Sequence, residues 1–129
     1  ASSKNSVITT ARRVNLAKIT SGAVPPIPKI THIAFGDQGV DSDGQPLTPT
    51  EEQQALHNEV GRYEIASVAN PVETTNRYTV TIPGDALNGV NISEMALVDA
   101  DGVFAAVKNF LPKGKDEDVT FTFEFDDEF

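Results

Sequence analysis

The chain has no cysteine and no tryptophan, one methionine and only two histidines in 129 residues. Without cysteine there are no disulfides and no thiolate zinc sites, which suits a protein made in a reducing compartment. No apolar run approaches the roughly 20 residues of a membrane-spanning helix, and the N-terminus lacks the apolar centre of a signal peptide. Membrane insertion is therefore not expected. Basic residues are also scarce: Lys and Arg number 10 against 19 Asp and Glu, for a formal charge of −9. A surface of that sign repels a polyanion, because binding to a phosphate backbone rests on neutralisation by Lys and Arg. No nucleic-acid partner is expected.

Catalytic patterns are missing as well. His32 and His57 have no HxH or HxxxH spacing and no acid at ligand spacing, so neither reads as a metal ligand or general base. No serine sits in a GxSxG elbow, and Gly36 and Gly39 are not followed by the Lys and Ser or Thr that a phosphate-cradling loop needs. Carboxylates are paired only in the acidic end of the chain, where solvation is the ordinary outcome. The expectation is no enzyme, no catalytic residue, no cofactor and no metal. One loop leaves a question open. Asp37, Asp41, Asp43 and Gly44 can converge on a hard cation or simply stabilise a chain reversal, and the spacing lacks the bidentate Glu of an EF-hand. Asp99, Asp101 and Gly102 pose the same alternative.

What the chain does contain is a set of local signals for one domain-sized unit. Its core must come from Val, Ile, Leu and seven Phe. Ser6 to Ser21 reads as a helix, stopped by Gly22 and followed by the extended connector Pro25-Pro26-Ile27-Pro28. Its apolar residues form no single stripe: Val7, Ala11 and Val14 share a side, while Ile8, Leu16 and Ile19 point elsewhere. Such a helix meets more than one surface, in its own domain or in a neighbouring subunit. A second helix is expected at about 48–60, because Thr48 and Glu51 form a capping box, Pro49 sits in the first turn, and the segment closes on Ala55 to Val60.

The rest reads as strands. Tyr63 to Val68 and Arg77 to Ile82 alternate around turns at Asn70-Pro71 and Thr74 to Asn76, suggesting an antiparallel pair. Asp99 to Gly102 marks a turn between strands at roughly Ile92 to Val98 and Val103 to Phe110. The strongest period-two signal is the last: Val119, Phe121, Phe123 and Phe125 on one face, Thr120, Thr122, Glu124 and Asp126 on the other. That Phe face is a core strand of a sandwich or, alternatively, a subunit-interface or ligand-stacking stripe. The expected fold class is α+β: an N-terminal helix and a short second helix packed on a mainly antiparallel β-sandwich-like domain. Residues 1–24 would form an anchoring helix and residues 25–129 a single β-rich domain. Charge is unevenly spread, with Lys4, Arg12, Arg13 and Lys18 at the start and Asp116, Glu117, Asp118, Glu124, Asp126, Asp127 and Glu128 at the end. This asymmetry suits either head-to-tail docking or two solvated faces.

Four segments carry a resemblance by their order and spacing: Ile8 to Ala17; Ile30 to Gly39 with its Phe35-Gly36-Asp37-Gln38-Gly39 break; Leu56 to Arg62; and Ile92 to Asn109, containing Asp99-Ala100-Asp101-Gly102. Together they resemble the N-terminal domain of phage tail-collar fibre proteins, the module that ties a tail fibre to a baseplate. The chain departs from that pattern at Ser93, Met95 and Ala96, where the family often has an aromatic and a Gly, and at Arg12 or Arg13, where a Gly is expected. It also ends at Phe129, where many relatives continue into a fibre, which reads as an attachment domain without its shaft.

The resemblance implies a structural protein of a phage tail or related contractile particle, attaching a fibre to the baseplate or forming a collar or adaptor. It implies a homo-oligomer, with a trimer favoured, baseplate or tail-fibre proteins as partners, and a place in the virion tail after synthesis in the host bacterial cytoplasm. The leading helix would then be the anchor, through Val7, Ile8, Arg12, Leu16 and Ile19. The alternative is a small receptor- or glycan-binding β-module of the tail tip using the Gly36 to Pro46 loop, although no Trp and only two Tyr leave few aromatic platforms for sugars.

Overall fold

Period-two alternation becomes strand throughout the computed structural model, which describes residues 6–22, 29–116 and 120–128. In chain order the elements are β1 (Ser6–Ile8), α1 (Thr10–Thr20), β2 (Ile30–Gly36), β3 (Glu59–Glu64), β4 (Ser67–Val72), β5 (Thr75–Ile82), β6 (Asn91–Asp99), β7 (Phe104–Gly114) and β8 (Phe121–Glu128). They form two sheets, ordered β1-β7-β6-β2-β3 and β4-β5-β8, in which every neighbouring pair is antiparallel.

The main core lies between the sheets. Ile33, Phe35, Met95 and Leu97 from the larger sheet meet Tyr78, Val80, Ile82, Phe123 and Phe125 from the smaller one. Phe35 and Phe123 touch across the gap with ring centroids 4.9 Å apart and planes tilted by 59°, a geometry that suits the ring quadrupoles. Each such buried side chain contributes about 1.5–3 kcal/mol. The residues of opposite parity, Ala34, Ala96, Val98 and Val107, face the other way and form a second cluster with Leu56 and Phe104, against which Val7 packs. β6 is therefore buried on both faces from Ile92 to Asp99.

The expected α+β class with two helices is corrected to a mainly β fold with one short helix among the described residues. Residues 48–58 hold no helix, and their only helical feature is a single turn in which Gln53 N donates to Thr50 O at 3.2 Å. The capping box loses to tertiary bonds. Glu51 O accepts from Thr10 N at 2.7 Å, and the amides of His57 and Asn58, which helix continuation would need, donate to Glu94 instead. Pro49 and Leu56 are buried against the sheet, so the segment runs as an irregular strap.

The first helix is also shorter than expected. Ser6 to Ile8 pairs with Ala106 to Lys108 as an edge strand, and α1 starts only after Thr9. Thr9 is extended at φ −72° and ψ 153°, and its hydroxyl accepts from Arg12 N, which makes it the N-cap. β-branched Val7 and Ile8 favour the strand side of that boundary.

Expected strand 63–68 divides at a corner between the sheets. Ile65 N donates to Thr31 O in the larger sheet, and the next amide, Ala66 N, donates to Thr79 O in the smaller one. The hairpin of β6 and β7 forms as expected. Arg77 to Ile82 does pair antiparallel, but with Ser67–Val72, so Asn70-Pro71, expected as a turn, lies within β4 and the chain reverses at residues 73–74. In β8 the alternation holds, with Phe123 and Phe125 buried and Thr122, Glu124 and Asp126 exposed. Val119, expected on the same face, lies outside the described residues.

Candidate functional site

Three of the motif segments meet at one carboxylate. Glu94, at zero exposure in β6, accepts from the backbone amides of Gln38 (3.2 Å), His57 (2.9 Å) and Asn58 (3.0 Å). His57 Nδ1 lies 3.0 Å from the same carboxylate. A buried charge is tolerated only when its lone pairs are satisfied, and three amides from two loops do that here. Beside it, Ser93 Oγ accepts from Gly39 N at 2.8 Å, and Asn58 Nδ2 donates to Asp37 Oδ1 at 2.7 Å.

Two glycines make this approach possible. A Cβ at Gly36 would overlap the Glu94 carboxylate and the Asn58 carbonyl, and one at Gly39 would overlap the Ser93 carbonyl. The Phe35-Gly36-Asp37-Gln38-Gly39 break is thus a close approach of backbone to a buried acid rather than a ligand cradle. Asn109, paired opposite Glu94 in β7, extends the arrangement by donating from Nδ2 to Leu47 O at 2.9 Å. Sequence reasoning left His57 without a partner; the structure gives it Glu94, 37 positions away, and no local spacing signals that pair.

The acidic loops are structured by their own amides. Asp41 Oδ1 accepts from Asp43 N (2.9 Å) and Gln45 N (3.0 Å), and Asp99 Oδ1 from Asp101 N (2.9 Å) and Val103 N (3.0 Å). These are side-chain-capped turns. Among the described residues no three His, Cys, Asp or Glu are grouped so as to hold a metal ion.

The proposed anchor residues separate into two environments. Val7 and Ile8 are half-buried in β1, and Val7 packs on the second core cluster. Arg12 points inward to a buried ion pair, its Nη1 2.6 Å from both oxygens of Asp127 in β8. Leu16 and Ile19 are half-buried on α1. The exposed face of α1 consists of Ala11, Arg13, Val14, Ala17 and Lys18, with Val14 44% exposed. Arg13 pairs with Glu51 at 2.7 Å. One early base and one late acid of the asymmetric charge pattern therefore meet inside the same molecule.

Two further charge arrangements matter. On β5, Arg77 lies 2.8 Å from Asp126 and 3.2 Å from Glu124 of β8. The hydrogen bond from Arg77 holds the Asp126 carboxyl below its ordinary range, and burial pushes the neighbouring Tyr78 phenol up. Lys115, fully buried, donates from Nζ to Gly84 O and Asn88 Oδ1 and fastens the loop before β6.

No helix among the described residues is long and apolar enough to cross a membrane. A family model described as phage tail-collar fibre protein, N-terminal, matches residues 3–120. Comparison with curated proteins and with solved structures gave no match.

Proposed function

The chain belongs to the phage tail-collar fibre protein family, as its N-terminal domain, and on that premise we propose that it joins a tail fibre to the baseplate or forms a collar or adaptor between them. It is a structural protein of a phage tail, and its place is the virion tail. The observation that carries the proposal is the use the fold makes of its motifs. The Gly36 to Gly39 break, the His57-Asn58 pair, Glu94 and Asn109 are spent on internal bonds that fix the strap and loops to the sheet. A rigid scaffold that presents surfaces is what an attachment domain requires.

In this reading residues 1–24 carry the anchor and residues 25–129 the platform. The anchor's contact face is the exposed side of α1 around Val14, backed by Leu16 and Ile19, while Val7, Ile8 and Arg12 hold the helix to the platform. Copies of the chain assemble as a trimer, made in the host cytoplasm, so that weak single contacts act together at high effective concentration.

Replacing Val14 and Ala17 with Glu tests this directly. The variant is expected to keep its circular dichroism spectrum and melting temperature within a few degrees, while tails purified from cells that supply only this variant lose their fibres. Fibre-bearing tails at wild-type yield would reject the α1 anchor. Light scattering of the isolated chain tests the oligomer, with a mass three times that of one chain expected.

A further inference from the structure

We propose that the cleft between β7 and β8 receives an extended, acidic segment of a partner protein in the tail, an assignment that rests on the structural role above. The cleft encloses about 290 Å³, with Met95, Phe110 and Phe123 lining it beside Lys108, Lys113 and Glu124. Lys108 is paired across the strands with Met95, whose side chain belongs to the main core, so the lysine emerges from the inner face of the larger sheet. It lines the cleft beside β8, and its charge acts on Asp126 of that strand. Lys113 Nζ lies 5.7 Å from the Phe110 ring centroid and 5.8 Å from that of Phe123, so it sits over the aromatic lining.

Charge decides the occupant. The rim carboxylate Glu124 and its neighbour Asp126 are both engaged by Arg77. Among the described residues, Lys108 and Lys113 form no ion pair with any carboxylate. The cleft thus gathers two lysines over an apolar lining in a chain whose formal charge is −9. Lys108 acts on Asp126 only beyond ion-pair distance, and Lys113 sits over the two rings. A segment alternating carboxylate and apolar residues complements both features. β8 is the edge strand of its sheet, so an extended segment laid along it also finds backbone donors and acceptors.

The test is titration of the isotope-labelled chain with two short end-capped peptides, one alternating aspartate with valine and one with asparagine in place of aspartate, followed by amide NMR. The aspartate peptide is expected to bind at least tenfold more tightly. It should shift the amides of Phe110, Lys113, Thr122 and Glu124, and weaken as salt rises from about 50 mM to about 500 mM. The double variant Lys108→Gln, Lys113→Gln should abolish those shifts, while Lys29→Gln, at an exposed position outside the cleft, leaves them intact. Equal affinity for both peptides, no shift at millimolar peptide, or undiminished binding by the double variant would overturn the assignment. If the lysines serve only to keep the sheet edge from pairing, the double variant self-associates in light scattering and neither peptide binds, which also overturns it. Loss of the peptide effect with the chain still present in purified tails would remove the cleft and leave the structural role standing.

Discussion

At the residue scale the fold turns on Glu94. Its carboxylate is the acceptor for amides from two loops, and removing its charge leaves those buried donors facing a group that is partly a donor itself. Glu94→Gln is expected to cost about 2–4 kcal/mol in urea unfolding. Gly39→Ala should be comparably harmful, because the added methyl meets the Ser93 backbone, whereas Gly44→Ala meets only open space and suffers about 1 kcal/mol from its positive φ of 77°. A Gly44 variant as damaging as the Gly39 one would show that dihedral strain, not close approach, governs these loops. Tyr78 supplies a pH signature. Burial raises its folded pKa above the ordinary value of about 10. Its contribution is whole below that pH and is lost as pH rises toward the folded value, since the unfolded chain releases the proton first. The stability gap between wild type and Tyr78→Phe should stay flat up to about pH 10 and then shift against the wild type; a shift between pH 6 and 8 would contradict the burial argument.

At the scale of elements, the helix and the last strand stand or fall together through Arg12 and Asp127, both buried and 115 positions apart. Asp127→Asn removes the carboxylate that both short contacts of the buried Arg12 guanidinium reach, and a loss of about 3–5 kcal/mol is expected. Amide exchange should accelerate in α1 and β8 before the rest of the sandwich, and uniform acceleration would argue against a local tie. The strands are largely legible from sequence because alternation is a local property: β5, β8 and the β6–β7 hairpin follow from period two and turn residues, whereas β4 runs through Asn70-Pro71, which read as a turn. The same parity that placed Phe121, Phe123 and Phe125 inward also places Asp127 inward, yet composition alone assigned it to the solvated acidic end. The strap at 48–58 is not legible because a capping box is also a local signal, and the competing bonds to Thr10 and Glu94 come from residues 36 or more positions away. β1 was absorbed into the helix for lack of any signal that β7 needed an edge partner.

At the scale of the molecule, the two surfaces proposed to meet partners are an exposed helix face and a cleft with two lysines on an acidic body. The resemblance in four segments was visible in sequence, but their convergence on one carboxylate was not, since it depends on how three strands and two loops are brought together. Surfaces that act on partners leave little periodic trace, which is why Val7, Ile8, Arg12, Leu16 and Ile19, expected from sequence as one anchor, fall on an edge strand, in a buried ion pair and on the half-buried side of the helix. The claim that matters most is that the chain is a fixed part of the tail. Quantitative mass spectrometry of purified, high-salt-washed tails measures it directly: a constant whole-number set per tail, in a multiple of three, is expected, and a trace amount that varies between preparations and washes away with salt would contradict the account.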